Sequence, residues 1–180
     1  MAKKCRVCKE KFDAFNSLQF TCGAKCAIEW AKKDIKVKKK KQHKADKERV
    51  KTRGQCIKEA QVEFNKFIRH RDDGDNCICC DGSTNDNHLT GSGWDAGHYL
   101  STGARPNLRF NEDNCHRQLV KCNRFLSGNA ASYRIGLVKK IGIDRVEALE
   151  CDHKEKKYTI DQLKEIKRVY REKTKQLINI

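Results

Sequence analysis

Acidic residues are scarce in this chain of 180 residues: 24 Asp and Glu stand against 40 Lys and Arg, a formal net charge of +16. That excess is larger than colloidal solubility requires and points to a polyanionic partner, nucleic acid before a membrane surface. Long apolar runs are also missing, and without a stretch of 18 apolar residues a membrane span is excluded. The opening MAKKCRVCKEKF has no apolar core of the kind a secretory leader needs, so a cytoplasmic protein is expected. Proline occurs once, at Pro106, inside a polar stretch that reads as loop. At roughly 100–200 residues per domain, the length admits one modest core with small appendages.

Cysteine, by contrast, is plentiful. Eleven cysteines in a reducing compartment do not read as a disulfide framework, and metal ligation is the remaining common use. Residues 1–30 carry Cys5, Cys8, Cys22 and Cys26 among the aromatics Phe12, Phe15, Phe20 and Trp30. So short a segment cannot bury enough apolar surface to fold unaided. The Cys-x2-Cys and Cys-x3-Cys pairs place four thiolates where they can converge on a tetrahedral zinc, a closed shell that folds a module and performs no chemistry.

Lys32 to Arg53 holds twelve basic residues, including Lys38, Lys39, Lys40, Lys41, Arg49 and Arg53, against three acids. With no Gly or Pro the segment can be helical, but its few apolar residues cannot dock it, so it is expected to be a helical arm laid along phosphates. From Cys56 to Arg71, Ile57, Ala60, Phe64, Phe67 and Ile68 recur at helical spacing. Residues 72–92 read as loop around Cys77, Cys79 and Cys80. Three more helices are expected near 131–141, 143–151 and 160–178. The last opens on the capping-box pattern Thr159-Ile160-Asp161-Gln162 and carries Leu163, Ile166, Tyr170 and Leu177 on one face. Cys56 and Cys151 read as ordinary buried thiols, Trp94 and Tyr99 as packing, and His43, His70, His88 and His153 lack supporting neighbours.

The centre, residues 77–129, combines Cys77-x2-Cys80 and Cys122 with Asp95, His98, Asn114, His116 and Asn123, hard O and N donors suited to a divalent ion or to proton transfer. This stretch resembles the HNH, or ββα-metal, nucleases. Gly97-His98-Tyr99 resembles the step that bears the general base, Asn114 the loop-holding Asn, and Cys122-Asn123 the closing Cys and metal ligand. Where many such proteins place an Asp directly before the His, this chain has Gly97, which leaves Asp95 as the nearest carboxylate. With the flanks WDAGHY, LRFNEDN, HRQ, VKCN and SGN included, nearly the whole chain resembles the lambdoid phage NinG, or Rap, family.

The resemblance implies an α+β fold: a zinc module over 1–30, a basic helical linker and DNA-binding arm over 31–54, and an HNH-like nuclease domain with C-terminal helices over 55–180. It implies a phage recombination endonuclease that cuts branched double-stranded DNA, Holliday junctions and D-loops, within the bacterial cytoplasm. Possible further partners are a second copy of the chain and other phage or host recombination proteins. In that reading His98 is the base, and Asp95 and Asn123 hold Mg²⁺ or Mn²⁺. Arg105, Arg109 and Lys121 are near enough in sequence to contact phosphate. His116 is open between zinc ligand, catalytic-metal ligand and phosphate contact. A second zinc is expected on Cys77, Cys80, Cys115 and Cys122. The family's first helical Cys is replaced here by Leu119, so the remaining ligand is Cys115 one helical turn away, His116, or Cys79 after a loop rearrangement, or the site is a remnant with two or three ligands. The other function classes are a non-catalytic zinc nucleic-acid-binding protein, which has no need of the His98/Asn114/Asn123 set, and a thiol redox protein, for which the βαβ context is missing.

Overall fold

The computed structural model describes residues 2–83 and 93–179. The part of the expected 72–92 loop from 84 to 92, with His88, lies outside the described residues. The chain divides into two compact units, Met1–Lys51 and Thr52–Ile180.

In the first unit, β1 (Ala2–Lys4) pairs antiparallel with β2 (Lys11–Asp13), Lys3 opposite Phe12. Helix α1 (Ala24–Arg49) starts among the cysteines and runs through the basic stretch without interruption, so the charged segment continues the helix that carries Cys26. None of its residues is buried, and Cys5 is the one fully buried residue among the described residues of this unit. Arg6 stacks over Phe20 at 4.2 Å and Trp30 at 5.2 Å, which shields the rings without building a core.

The second unit is built on α2 (Arg53–Arg71) and α5 (Ile160–Ile178), both opened by complete capping boxes, at Thr52/Gln55 and Thr159/Gln162. The helices run side by side, Glu59 paired with Lys167 and Glu63 with Arg171. Between them Phe64 meets Tyr170 edge-on at 4.8 Å and Phe110 at 5.7 Å. Cys56 joins this core as expected, whereas Cys151 is exposed and so is not the buried thiol its apolar neighbours suggested. Leu177 is likewise 40% exposed; Thr174, 2% exposed, takes the inward place a turn earlier and returns its hydroxyl to the Tyr170 carbonyl.

A hairpin lies at the centre of this unit. Strand β3 (Trp94–His98) pairs antiparallel with β4 (Cys115–Leu119) in the register Trp94↔Leu119, Asp95↔Gln118, Gly97↔His116 and His98↔Cys115. After β4 the chain makes one wide helical turn, Lys121–Phe125, then enters α3 (Ala130–Ile141) and α4 (Ile143–Cys151). These two helices pack Tyr133, Leu137, Val146 and Leu149 against Leu108 and the cysteines Cys77, Cys79 and Cys122, forming a second core around sulfur.

Gly136 sets the distance between α3 and that sulfur cluster: a Cβ there would sit 1.7 Å from the Ile78 carbonyl oxygen. Both partners are backbone, so neither can turn aside. Gly136→Ala is therefore expected to cost about 3 kcal/mol, or roughly 10 °C in Tm, with partial loss of the metal next to Ile78, measured by thermal unfolding and bound-zinc analysis.

Candidate metal centres and the histidine site

The two cysteine clusters share one local device. In Cys5-x2-Cys8 the N–H of Lys9 returns to the Cys5 carbonyl at 3.1 Å with Lys9 at φ +67°. In Cys77-x2-Cys80 the N–H of Asp81 returns to the Cys77 carbonyl at 3.0 Å with Asp81 at φ +57°. These left-handed residues close tight knuckles whose inner amides, Val7 and Cys8 in the first and Cys79 in the second, point at sulfur. Burial opposes the Cys5 thiolate, but N–H donors from Cys8, Val7 and Cys22 outweigh it and bring its pKa down to about 6.

Cys5, Cys8, Cys22 and Cys26 form one cluster, and Cys77, Cys79, Cys80 and Cys122 the other, all sulfurs of each lying within 4.8 Å of one another. The separations Cys8–Cys22 3.6 Å, Cys22–Cys26 3.7 Å, Cys77–Cys79 3.5 Å and Cys80–Cys122 3.5 Å are far beyond disulfide length. A tetrahedron with metal–sulfur bonds of about 2.3 Å has edges of about 3.8 Å, so both cages fit zinc.

The fourth sulfur of the second cluster is Cys79, not Cys115. The expectation for Cys115 assumed a helix, in which residues 115 and 119 are one turn apart; as a strand, β4 separates them by about 13 Å. Cys115 instead faces His98, its Sγ 3.6 Å from Nδ1, and full burial raises its pKa so that it stays a thiol. Leu119 keeps one function of the missing ligand, since its backbone N–H points at Cys77 Sγ at 3.3 Å.

His116 is also placed away from metal. Its Nε2 faces the Asp113 carbonyl at 3.1 Å and its Nδ1 the Arg71 guanidinium at 2.8 Å, so Nε2–H donates and Nδ1 accepts. Beside it, Asp72 is 2% exposed and takes both oxygens' worth of Arg71, the Arg117 N–H at 3.0 Å and Lys140 at 3.3 Å. Burial opposes that charge; the Arg71 guanidinium and the Arg117 N–H hold the carboxyl well below the usual range.

The remaining candidates separate onto two faces of the hairpin. Alternation along β3 sets Asp95 and Gly97 on one face, Trp94, Ala96 and His98 on the other. Asp95 accepts Asn123 Nδ2 at 2.9 Å and Arg124 through two bonds of 2.8 Å. Burial works against its charge, but Arg124 and Asn123 prevail and lower its pKa. Gly97 cannot carry a side chain: a Cβ would lie 2.0 Å from Gln118 Oε1. Gln118 is locked in place, its Nε2 donating to Cys79 Sγ at 3.4 Å and the Gly128 carbonyl at 2.7 Å, while Oε1 is buried without a partner. Cys79 and Gly97 are thus joined through one side chain, a link with no signature in sequence spacing.

On the other face His98 Nε2 meets the Arg109 carbonyl at 2.9 Å, and its ring lies 6.0 Å from Phe64. Burial, reinforced by the Arg109 charge, lowers its pKa despite that hydrogen bond. The loop supplying the carbonyl is tied by Asn114, fully buried, which accepts the Leu100 N–H at 2.8 Å and donates to the carbonyls of Leu100 and Leu108. Asn114 therefore positions the loop. So does Arg109, expected on phosphate, whose guanidinium instead donates to Gln61 Oε1 and the Thr102 carbonyl.

The family model described as Bacteriophage Lambda NinG protein matches residues 1–179. The chain belongs to the NinG family. It is 37% identical to Protein ninG of Escherichia phage 933W over 98% of this chain and 94% of the relative. Against Protein ninG of Salmonella phage P22 the figure is 45% over 71% of this chain and 60% of the relative. Against that of Escherichia phage lambda it is 45% over 72% and 61%. No solved structure matches the chain. Within this NinG chain Trp94 and Tyr99 pack as expected, Trp94 under Arg117 at 4.0 Å and Tyr99 against Tyr133 at 5.7 Å. Lys39, Lys40, Lys41 and Lys121 are exposed, Lys38 pairs with Asp34, and Arg49 reaches Asp46 at 4.0 Å. His153, which stands alone in the sequence, approaches Arg105 at 3.4 Å.

Proposed function

We propose that this NinG protein is a metal-dependent endonuclease acting on branched DNA such as four-way junctions and D-loops, with an HNH-like centre on the β3–β4 hairpin and the turn after it. The observation that carries the reading is the fixed tautomer of His98. A carbonyl only accepts, so the Arg109 oxygen holds the proton on Nε2 and leaves Nδ1 unprotonated, facing the Cys115 thiol at 3.6 Å. Burial keeps the ring neutral near pH 7, ready to take a proton from an attacking water. The Arg109 carbonyl then stabilises the imidazolium, and the Cys115 thiol beside Nδ1 restrains the ring.

Asp95 and Asn123 supply one carboxylate and one amide oxygen, a donor set that suits Mg²⁺ or Mn²⁺ with the other positions left for water and phosphate. When bound, such an ion polarises the scissile phosphate and stabilises the leaving oxygen. Arg124 meanwhile keeps Asp95 ionised and occupies both its oxygens, so it competes with any ion there. Base and carboxylate sit on opposite faces of β3, which, like the Asp95–Arg124 pair, counts for the second reading below. The sulfur cages would hold structural zinc, and the unpaired lysines of α1 would follow the phosphate backbone.

The test is cleavage of matched linear, flap, D-loop and four-way DNA across a Mg²⁺ and Mn²⁺ titration. The branched substrates are expected to be cut at least about tenfold faster than the linear duplex. Equal cutting of all four would defeat the branched-DNA specificity. Binding without cleavage under either metal would favour the second reading, a non-catalytic zinc DNA-binding protein, which the closed Asp95–Arg124 pair supports.

A further inference from the structure

Several cations in the second unit are neutralised: Arg134 by Glu150, Arg145 by Asp113, Lys167 by Glu59, Arg171 by Glu63 and Lys173 by Glu112. One place gathers unpaired cations around a concavity. The irregular segment 152–159 between α4 and α5 folds over the loop that carries Pro106 and encloses a cavity of about 530 Å³. Its walls bear Arg53, Arg105, His153, Lys154, Lys156 and Lys157, against a single acid, Glu155. None of the five Arg and Lys side chains is paired with a carboxylate among the described residues, and Arg105 donates to His153 Nε2 at 3.4 Å.

Five like charges gathered around one concavity repel, and the arrangement is costly unless an anion sits among them. The walls are also anchored. Asn107 Nδ2 donates to the Asp152 carbonyl at 3.2 Å, and Tyr158 donates to the Asn107 carbonyl at 3.1 Å while its ring packs edge-on against Phe110 at 5.2 Å. Lys156 is steered over the Tyr158 ring at 4.8 Å. The segment is therefore a fixed cationic wall, and the loop it grips continues to Arg109, whose carbonyl orients His98.

We infer that this cavity binds backbone phosphates of double-stranded DNA at a distance from the scissile phosphate, gripping substrate through the loop that orients His98. The inference rests on the DNA-directed reading of the protein. An acidic protein segment is the competing occupant; DNA is favoured because the ensemble offers cations with almost no apolar anchor, the composition of phosphate contacts rather than of a protein interface.

The experiment measures affinity for a labelled four-way DNA junction by fluorescence anisotropy from 50 to 200 mM NaCl, with zinc-loaded full-length protein and without Mg²⁺ or Mn²⁺. The triple variant Lys154→Ala/Lys156→Ala/Lys157→Ala is compared with Lys66→Ala/Lys139→Ala/Lys164→Ala, which removes the same charge from exposed positions elsewhere in this unit. The first is expected to bind at least about tenfold more weakly, with a log–log salt slope shallower by about 2–3, the second to shift by less than about threefold. Arg105→Gln, which keeps a polar side chain at the cavity mouth, should lower the slope by about 1. Equal losses in both triple variants, or an unchanged slope in the first, overturn the inference. A wild-type protein with no junction affinity overturns the DNA reading itself, a result separate from either.

Discussion

His98→Ala is expected to lower cleavage of a four-way junction by about 10²–10⁴-fold while changing junction affinity less than about twofold. The rate loss follows from removing the one unprotonated ring nitrogen, in a tautomer that the Arg109 carbonyl defines. Affinity is spared because His98 is half-buried beside Phe64 and contributes no charge at neutral pH. The pH profile gives an independent sign. The base is active when neutral, so the rate falls as pH drops through its pKa; burial lowers that pKa, so the midpoint of the fall should lie below the ordinary histidine value of about 6.5. A rate still climbing tenfold per pH unit between 7 and 8 would remove His98 from the base role. Cys115→Ser should leave the rate within about tenfold, since the thiol only restrains the ring, whereas full cleavage by His98→Ala would end the assignment.

The second large effect concerns zinc. Cys79→Ser is expected to reduce bound zinc from one ion per cluster to the N-terminal ion alone, and adding Leu119→Cys to that variant should restore the second. Position 119 already lies beside the cage, because its N–H reaches Cys77 Sγ at 3.3 Å and its side chain shares the neighbourhood of Cys80. The two clusters should differ in what their loss does. The second is walled by Leu108, Tyr133 and Leu137, so its unit keeps a core without metal and should lose roughly 10 °C in Tm rather than unfold at room temperature. The first has only Cys5 buried, and structural zinc contributes about 10–16 kcal/mol to such modules, so chelation should abolish folded structure around β1 and β2. Zinc analysis of the double variant together with far-UV circular dichroism distinguishes these outcomes. A Cys79→Ser protein that still binds both ions would show that Cys79 is not the ligand.

Much of this protein follows from sequence. Periodicity alone placed α2, α3, α4 and α5, because a helix that buries one stripe must repeat its apolar residues every three or four positions, and the capping pattern at Thr159 marked where α5 begins. The Cys-x2-Cys and Cys-x3-Cys spacing was enough for the N-terminal cage, since all four ligands lie on short local structures. The pattern around His98, Asn114 and Asn123 was sufficient for the family, and the loop-holding part of Asn114 is what the resemblance implied.

What sequence left open was decided by contacts between residues distant along the chain. Whether residues 115–119 were helix or strand settled which cysteine completes the second cage, and that choice depends on pairing with β3, some twenty residues earlier. The withdrawal of His116 into the Asp72–Arg71 network, the packing of Gln118 into the space of a side chain at Gly97, and the gathering of five cations around the 152–159 segment have the same origin. Periodicity and ligand spacing record local geometry, which each short segment carries with it. Burial, charge pairing and tautomer are set by neighbours that only the folded chain brings together.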